Sequence, residues 1–165
     1  MTPHDLPLGA NDLLLEKRVL VLEYWAPLVC WVSLTYLFSS DAFSAGETSR
    51  VLGPVLAFLL PWLSDDQISF VHGAIRKLGH VSEFFVMAVF ARRALGIINR
   101  ETRAVLFSGV FVLSASALDE FHQMLTLYRG ASPVDVGYDC LGGLMGIWLI
   151  ERIEWRRTTA RIAAV

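Results

Sequence analysis

The chain has 165 residues, 55% of them hydrophobic, with a formal net charge of −2 and a mean hydropathy of +0.51. That is too apolar for an ordinary soluble core and points to a single integral membrane domain, residues 1–165. Near-neutral charge, with no basic stripe interleaved with aromatics, excludes nucleic acid as a partner.

In chain order, the lead "MTPHDLPLGANDLLLEKR" has two prolines and mixed polarity, and reads as a segment without fixed structure. The apolar run after "EKR" begins late and has no small-residue cleavage pattern, so it reads as a retained helix and not a cleaved signal. About 20 residues are needed to cross ~30 Å of hydrocarbon. Four segments are placed as spans on that basis: 20–38, 78–97, 104–125 and 134–151.

The first and third hold charge-free runs, "YWAPLVCWVSLTYLF" and "AVLFSGVFVLSASAL". In the second, Glu83 and Arg92 bound a clean stretch of eight; in the fourth, Asp139 and Glu151 bound eleven. Charges inside a span must face protein or water. Between the first two spans, residues 51–63 are apolar but too short to cross, and they contain Pro54 and Pro61. A re-entrant or interfacial segment fits them better. The expected fold is therefore all-α: a polytopic membrane bundle of four transmembrane helices plus that short segment.

Placing the N-terminus inside collects Lys17, Arg18, Arg92, Arg93, Arg100, Arg103, Arg152, Arg156, Arg157 and Arg161 on the cytosolic side, against Arg50, Arg76, Lys77 and Arg129 outside. The positive-inside bias then puts both termini in the cytoplasm, the membrane being read as a bacterial inner membrane. Cys30 and Cys140 lie in apolar runs without metal-type spacing, and read as buried packing residues.

With that topology the unusual polar residues converge at the outer leaflet. Lys77, His80 and Glu83 are spaced by three; Glu120 and Gln123 by three; Asp119 and Gln123 by four; Asp135 and Asp139 by four. These spacings share helix faces. The stripe on the fourth span continues through Gly142, Gly143 and Gly146, small residues that permit close helix approach. His80 and Glu120 are the candidates for proton handling, with Lys77 and Arg129 as anion contacts. The competing reading is a paired network that only stabilises the bundle. A metal site is disfavoured: Lys77 and Arg129 already supply positive charge, and there is no HExxH and no second histidine on the face of His80. Ser114 and Ser116 are expected to hydrogen-bond within the bundle. His122 points away from Glu120 and Gln123 by helical phase, and His72 reads as a solvated position.

"KLGHVSEFF" and "DEFHQMLTLYRGASPVDVGYDCLGG", together with the Ser-rich "LFSSDAFSAGETS" after the first span, resemble the VanZ-like family over about residues 36–150. The resemblance carries that family's polar motif onto Lys77, His80, Glu83, Asp119, Glu120, Gln123, Arg129, Asp135 and Gly142. Asp139 stands where the family often has Asn, and Phe84 where it often has Tyr. It implies a small multi-span membrane protein of the cell envelope, in a family whose namesake is associated with teicoplanin resistance. No settled reaction and no cofactor come with it.

The function expected is binding or processing of an amphiphilic or lipid-linked small molecule in a polar pocket at the outer leaflet, with membrane lipids as partners. His80 and Glu120 take the catalytic positions; Lys77, Glu83, Asp119, Gln123, Arg129, Asp135 and Asp139 take the ligand-binding ones. The alternatives are a membrane hydrolase or transferase using His80 and Glu120 as acid and base, or a purely structural bundle.

Overall fold

Serines start three of the five helices in the computed structural model, which describes residues 10–98, 101–125 and 132–163. The helices are α1 (Ala10–Phe38), α2 (Ala45–Leu59), α3 (Asp65–Ile98), α4 (Glu101–Met124) and α5 (Pro133–Ala163), with a 3-10 turn at Asp41–Phe43. Ser44 accepts from the Glu47 backbone N–H. Ser64 and Gln67 form a reciprocal capping box: the Gln67 N–H donates to the Ser64 hydroxyl, and the Ser64 N–H donates to the Gln67 side chain. The Ser132 hydroxyl accepts from the Val134 N–H, and Pro133 fills the first helical position, where its missing donor is not needed.

α3 is the central helix. It packs on α1, α2 and α4, and most extensively on α5. Its buried residues are Phe84, Met87, Ala88, Ala91, Arg92 and Ala94. The close α3–α5 approach is made by glycines. A Cβ on Gly142 would strike the Val81 carbonyl and one on Gly146 the Phe85 carbonyl, while one on Gly143 would strike Val112 of α4. α1 is pinned through Trp31, whose indole N–H donates to the Glu83 carbonyl at 2.9 Å and whose ring meets the Phe90 ring edge-on. Rows of large apolar side chains face outward, among them Leu106, Val110 and Leu113 of α4 and Leu141, Leu144 and Trp148 of α5. Such a continuous apolar surface suits lipid or a protein partner better than water.

The all-helical expectation matches this architecture, with corrections of detail. α1 starts at Ala10, inside the lead expected to lack structure; beyond Gly9 that stretch has no proline and is rich in Leu, Glu, Lys and Arg, which favour helix. The apolar segment 51–63 contributes most of α2, which stops at Leu59, two residues before Pro61. Its Val51, Val55 and Phe58 are exposed while Leu56 turns inward. Cys30 is exposed, contrary to expectation, because α1 meets the bundle through Leu28, Trp31 and Thr35 and Cys30 falls on the opposite face; both thiols are free.

Among the described residues, two helices contain stretches long and apolar enough to cross a membrane, Arg18–Phe38 and Thr102–Met124. α3 and α5 have the length, 34 and 31 residues, but their ionisable residues keep them out of that class. Much of that charge is turned into the seam between the two helices and not outward.

Candidate functional site

One end of the α3–α5 seam holds most of the polar residues singled out from the sequence. His80 Nδ1 lies 3.2 Å from Asp139 Oδ1, and the Ser116 hydroxyl donates to Asp139 Oδ2 at 2.7 Å. Asp139 is 0% exposed, so three helices meet on one buried carboxylate. Gln123 Nε2 donates to Asp119 Oδ2 at 2.7 Å, one turn along α4. Lys77 reaches Asp135 at 3.3 Å and lies 4.4 Å above the Tyr138 ring. A His80 nitrogen and one oxygen each from Asp119 and Asp139 all lie within 4.8 Å of one another. Two ionised carboxylates at that separation repel by roughly 3 kcal/mol at an effective dielectric of about 20. A positive charge between them would offset that repulsion.

Glu120 has a different task from the other carboxylates. Its Oε2 accepts from the Ser132 backbone N–H at 2.7 Å, fastening the start of α5 to the end of α4. Its Oε1 is buried with no hydrogen-bond partner among the described residues. Arg129 lies outside the described residues.

Two cavities adjoin this cluster. The first, about 250 Å³, is lined by Thr35, Ser39, Phe38, Phe43, Arg76, His80, Glu83 and Asp119, among others. The second, about 400 Å³, is almost wholly apolar and runs between α1 and α4, with Val32, Tyr36, Met87, Phe111 and Leu118 in its wall. Thr35 and Asp119 belong to both.

Several residues here escape a reading of local pattern. Arg76 donates to the Phe43 carbonyl at 3.1 Å and to the Thr48 hydroxyl at 3.2 Å, tying α3 to α2 on the cavity wall. Burial lowers its guanidinium from the ordinary value, while Asp135 and Glu83 act to raise it. Thr35 is 4% exposed, and its hydroxyl has no partner among the described residues. His72, expected in solvent, has a buried Nε2 without a partner among the described residues. His122 stacks on Tyr36 with ring centroids 4.4 Å apart and approaches the Ser39 hydroxyl.

The opposite end of the seam holds a second polar cluster. Arg92 is 2% exposed; its Nε donates to Glu151 at 2.6 Å and its Nη2 to Glu154 at 3.0 Å. A Cβ on Gly96 would meet the Arg92 guanidinium, so that glycine makes room for the side chain. The signals in the sequence were Gly96 four residues after Arg92, and two glutamates three apart.

The class these features define is an all-helical protein whose central pair carries ionic groups into its seam, with a polar cavity beside an apolar one. A family model for VanZ/LLP1 matches residues 24–154, and the chain belongs to the VanZ/LLP1 family. The match takes in both seam clusters and both cavities, and reaches further into α1 than the resemblance read from the motifs. No curated protein and no solved structure matches the chain.

Proposed function

We propose that the chain is an envelope membrane protein that holds an amphiphile, with the headgroup in the polar cavity and an acyl chain in the apolar cavity beside it. The observation that carries this reading is the shared wall: Thr35 and Asp119 line both spaces, so one molecule with a polar and an apolar end can occupy them together. Size narrows the ligand. At about 250 Å³ the polar cavity is below the usual range for drug-sized ligands, roughly 300–1,000 Å³. A phosphate-bearing or similarly small headgroup fits; the many-ringed body of a glycopeptide antibiotic does not. The link to teicoplanin that comes with the family name would then run through an envelope lipid, and not through the antibiotic seated in this cavity.

In this reading α1, α3, α4 and α5 all span the membrane, α2 lies along its outer face, and both termini are cytoplasmic. The internal pairing of Arg92, Glu151, Glu154, His80 and Asp139 supports the two charged helices as spans, because paired ions turned into a bundle cost far less than ions facing lipid. The exposed rows on α4 and α5 are then lipid-facing. The cavity lies at the outer leaflet, where Arg76 on its wall favours an anionic headgroup.

The test is lipid retention. The full chain purified in mild detergent should carry bound phospholipid detectable by native mass spectrometry, and Ser114→Trp, which fills the apolar cavity, should release it without lowering Tm by more than a few degrees. A wild-type protein without lipid, or a Ser114→Trp variant that keeps it, overturns the reading.

A second reading, hydrolysis or group transfer on a lipid-linked substrate, is favoured by the His80–Asp139 contact. A carboxylate on one ring nitrogen fixes the tautomer and leaves the other nitrogen to move a proton. In that reading His80 carries the chemistry and Glu120 serves as a positioning group, since one of its oxygens holds Ser132. Its signature is turnover of a labelled lipid-linked substrate that His80→Ala abolishes while membrane abundance is unchanged.

A further inference from the structure

We propose that His80, Asp119 and Asp139 bind a divalent cation whose remaining coordination positions open into the polar cavity. The three candidate donors come from α3, α4 and α5 and lie within 4.8 Å of one another. Around an ion with bonds of about 2.1 Å, donors sit roughly 3–3.5 Å apart. Closing the set therefore asks for side-chain shifts on the order of 1 Å, within the reach of small torsional changes. One imidazole nitrogen with two carboxylate oxygens suits Zn²⁺ or Mn²⁺; Ca²⁺ prefers six to eight oxygens.

Charge placement supplies the reason for an ion. The sequence argued against a metal because Lys77 and Arg129 stand at the same level, but Lys77 is engaged with Asp135 and the Tyr138 ring. Arg76 is turned to the Phe43 carbonyl and Thr48. Among the described residues no lysine or arginine forms an ion pair with Asp119 or Asp139; the basic side chain that meets the buried Asp139 is His80. A divalent ion neutralises both carboxylates and takes the place of the proton that otherwise bridges His80 and Asp139.

An independent observation points into the same cavity. Ser33 of α1 returns its hydroxyl to the carbonyl four residues back, the usual arrangement for a hydroxyl inside a helix. Thr35 does not: the residue is 96% buried on the wall shared with His80 and Asp119, and its buried hydroxyl has no partner among the described residues. A water or headgroup oxygen on the ion would satisfy it.

The inference does not rest on the lipid reading, and its test contains no added lipid. The full chain, purified in detergent and stripped with a chelator, is titrated with ZnCl₂ and separately with MnCl₂, and bound metal is counted by mass spectrometry. The expected result is one ion per chain, a raised Tm, and affinity weakened at least about 100-fold in Asp119→Asn and in His80→Ala. Replacing Cys30 and Cys140 by Ser should leave binding intact, which separates this site from adventitious thiol capture. The proposal is overturned if the wild-type chain takes up neither ion stoichiometrically, if either variant with a wild-type melting profile binds as the wild type does, or if the cysteine-free chain loses the ion.

Discussion

Arg92 and Asp139 are both charged, both buried, and both on the seam between α3 and α5, yet their surroundings differ in kind. Arg92 is closed: two carboxylates meet its guanidinium and Gly96 makes room for it. Asp139 is held by a histidine and a serine and stands close to the Asp119 carboxylate, which lines the same cavity as Thr35, whose buried hydroxyl has no partner among the described residues. The two clusters are separated along α3 by twelve residues, about 18 Å. Arg92 is matched by two carboxylates, and a cavity of about 720 Å³ adjoins that end too; what sets the other end apart is a pair of neighbouring carboxylates with no lysine or arginine paired to them among the described residues. On the proposals made above, the Arg92 end acts as a clasp and the Asp139 end as a binding site.

The seam that both ends share should be the most sensitive to change. Gly146→Leu drives a side chain into the Phe85 carbonyl and should cost upwards of about 3 kcal/mol, seen as lost yield of folded protein in detergent. At the closed end, the double change Glu151→Gln, Glu154→Gln strands Arg92 and should cost about 3–5 kcal/mol. Arg92→Met should cost less, because Glu151 and Glu154 are 39% and 43% exposed and can turn to water. If denaturant unfolding ranks these two the other way, the clasp reading of that end fails. At the open end, Asp139→Asn keeps an acceptor for Ser116 and removes a buried charge, so stability should stay within about 1 kcal/mol of wild type while zinc or manganese uptake is lost. A loss as large as at Arg92 would erase the distinction between the ends. Lys77→Gln breaks the half-exposed pair with Asp135 and should cost about 0.5 kcal/mol, less in high salt, measured as a small Tm shift.

Helical spacing alone placed Lys77, His80, Asp119, Gln123, Asp135 and Asp139 on shared faces, because intervals of three and four are a local property of the chain. It did not reveal which of them meet. The His80–Asp139 and Arg92–Glu151 contacts each join residues 59 apart in sequence, and no local pattern encodes a pairing of that range. Arg92 reads from the sequence only as one of the charges at the far end of its helix; its burial depends on Glu151 and Glu154, which no local pattern pairs with it. The ionisable residues carried into the seam also make α3 and α5 less apolar than the two helices long and apolar enough to cross a membrane. α2 was legible as an apolar segment, but its full extent depends on the Ser44 cap, which lies outside that segment.

The bond from Trp31 to α3 ends on the backbone carbonyl of residue 83, and that choice of acceptor has an evolutionary consequence. An anchor that reads the main chain is indifferent to the side chain at that position. Position 83 lines the polar cavity, so descendants of this sequence can exchange the residue there, and with it the charge of the cavity wall, while keeping the Trp31 bond that fastens the first helix.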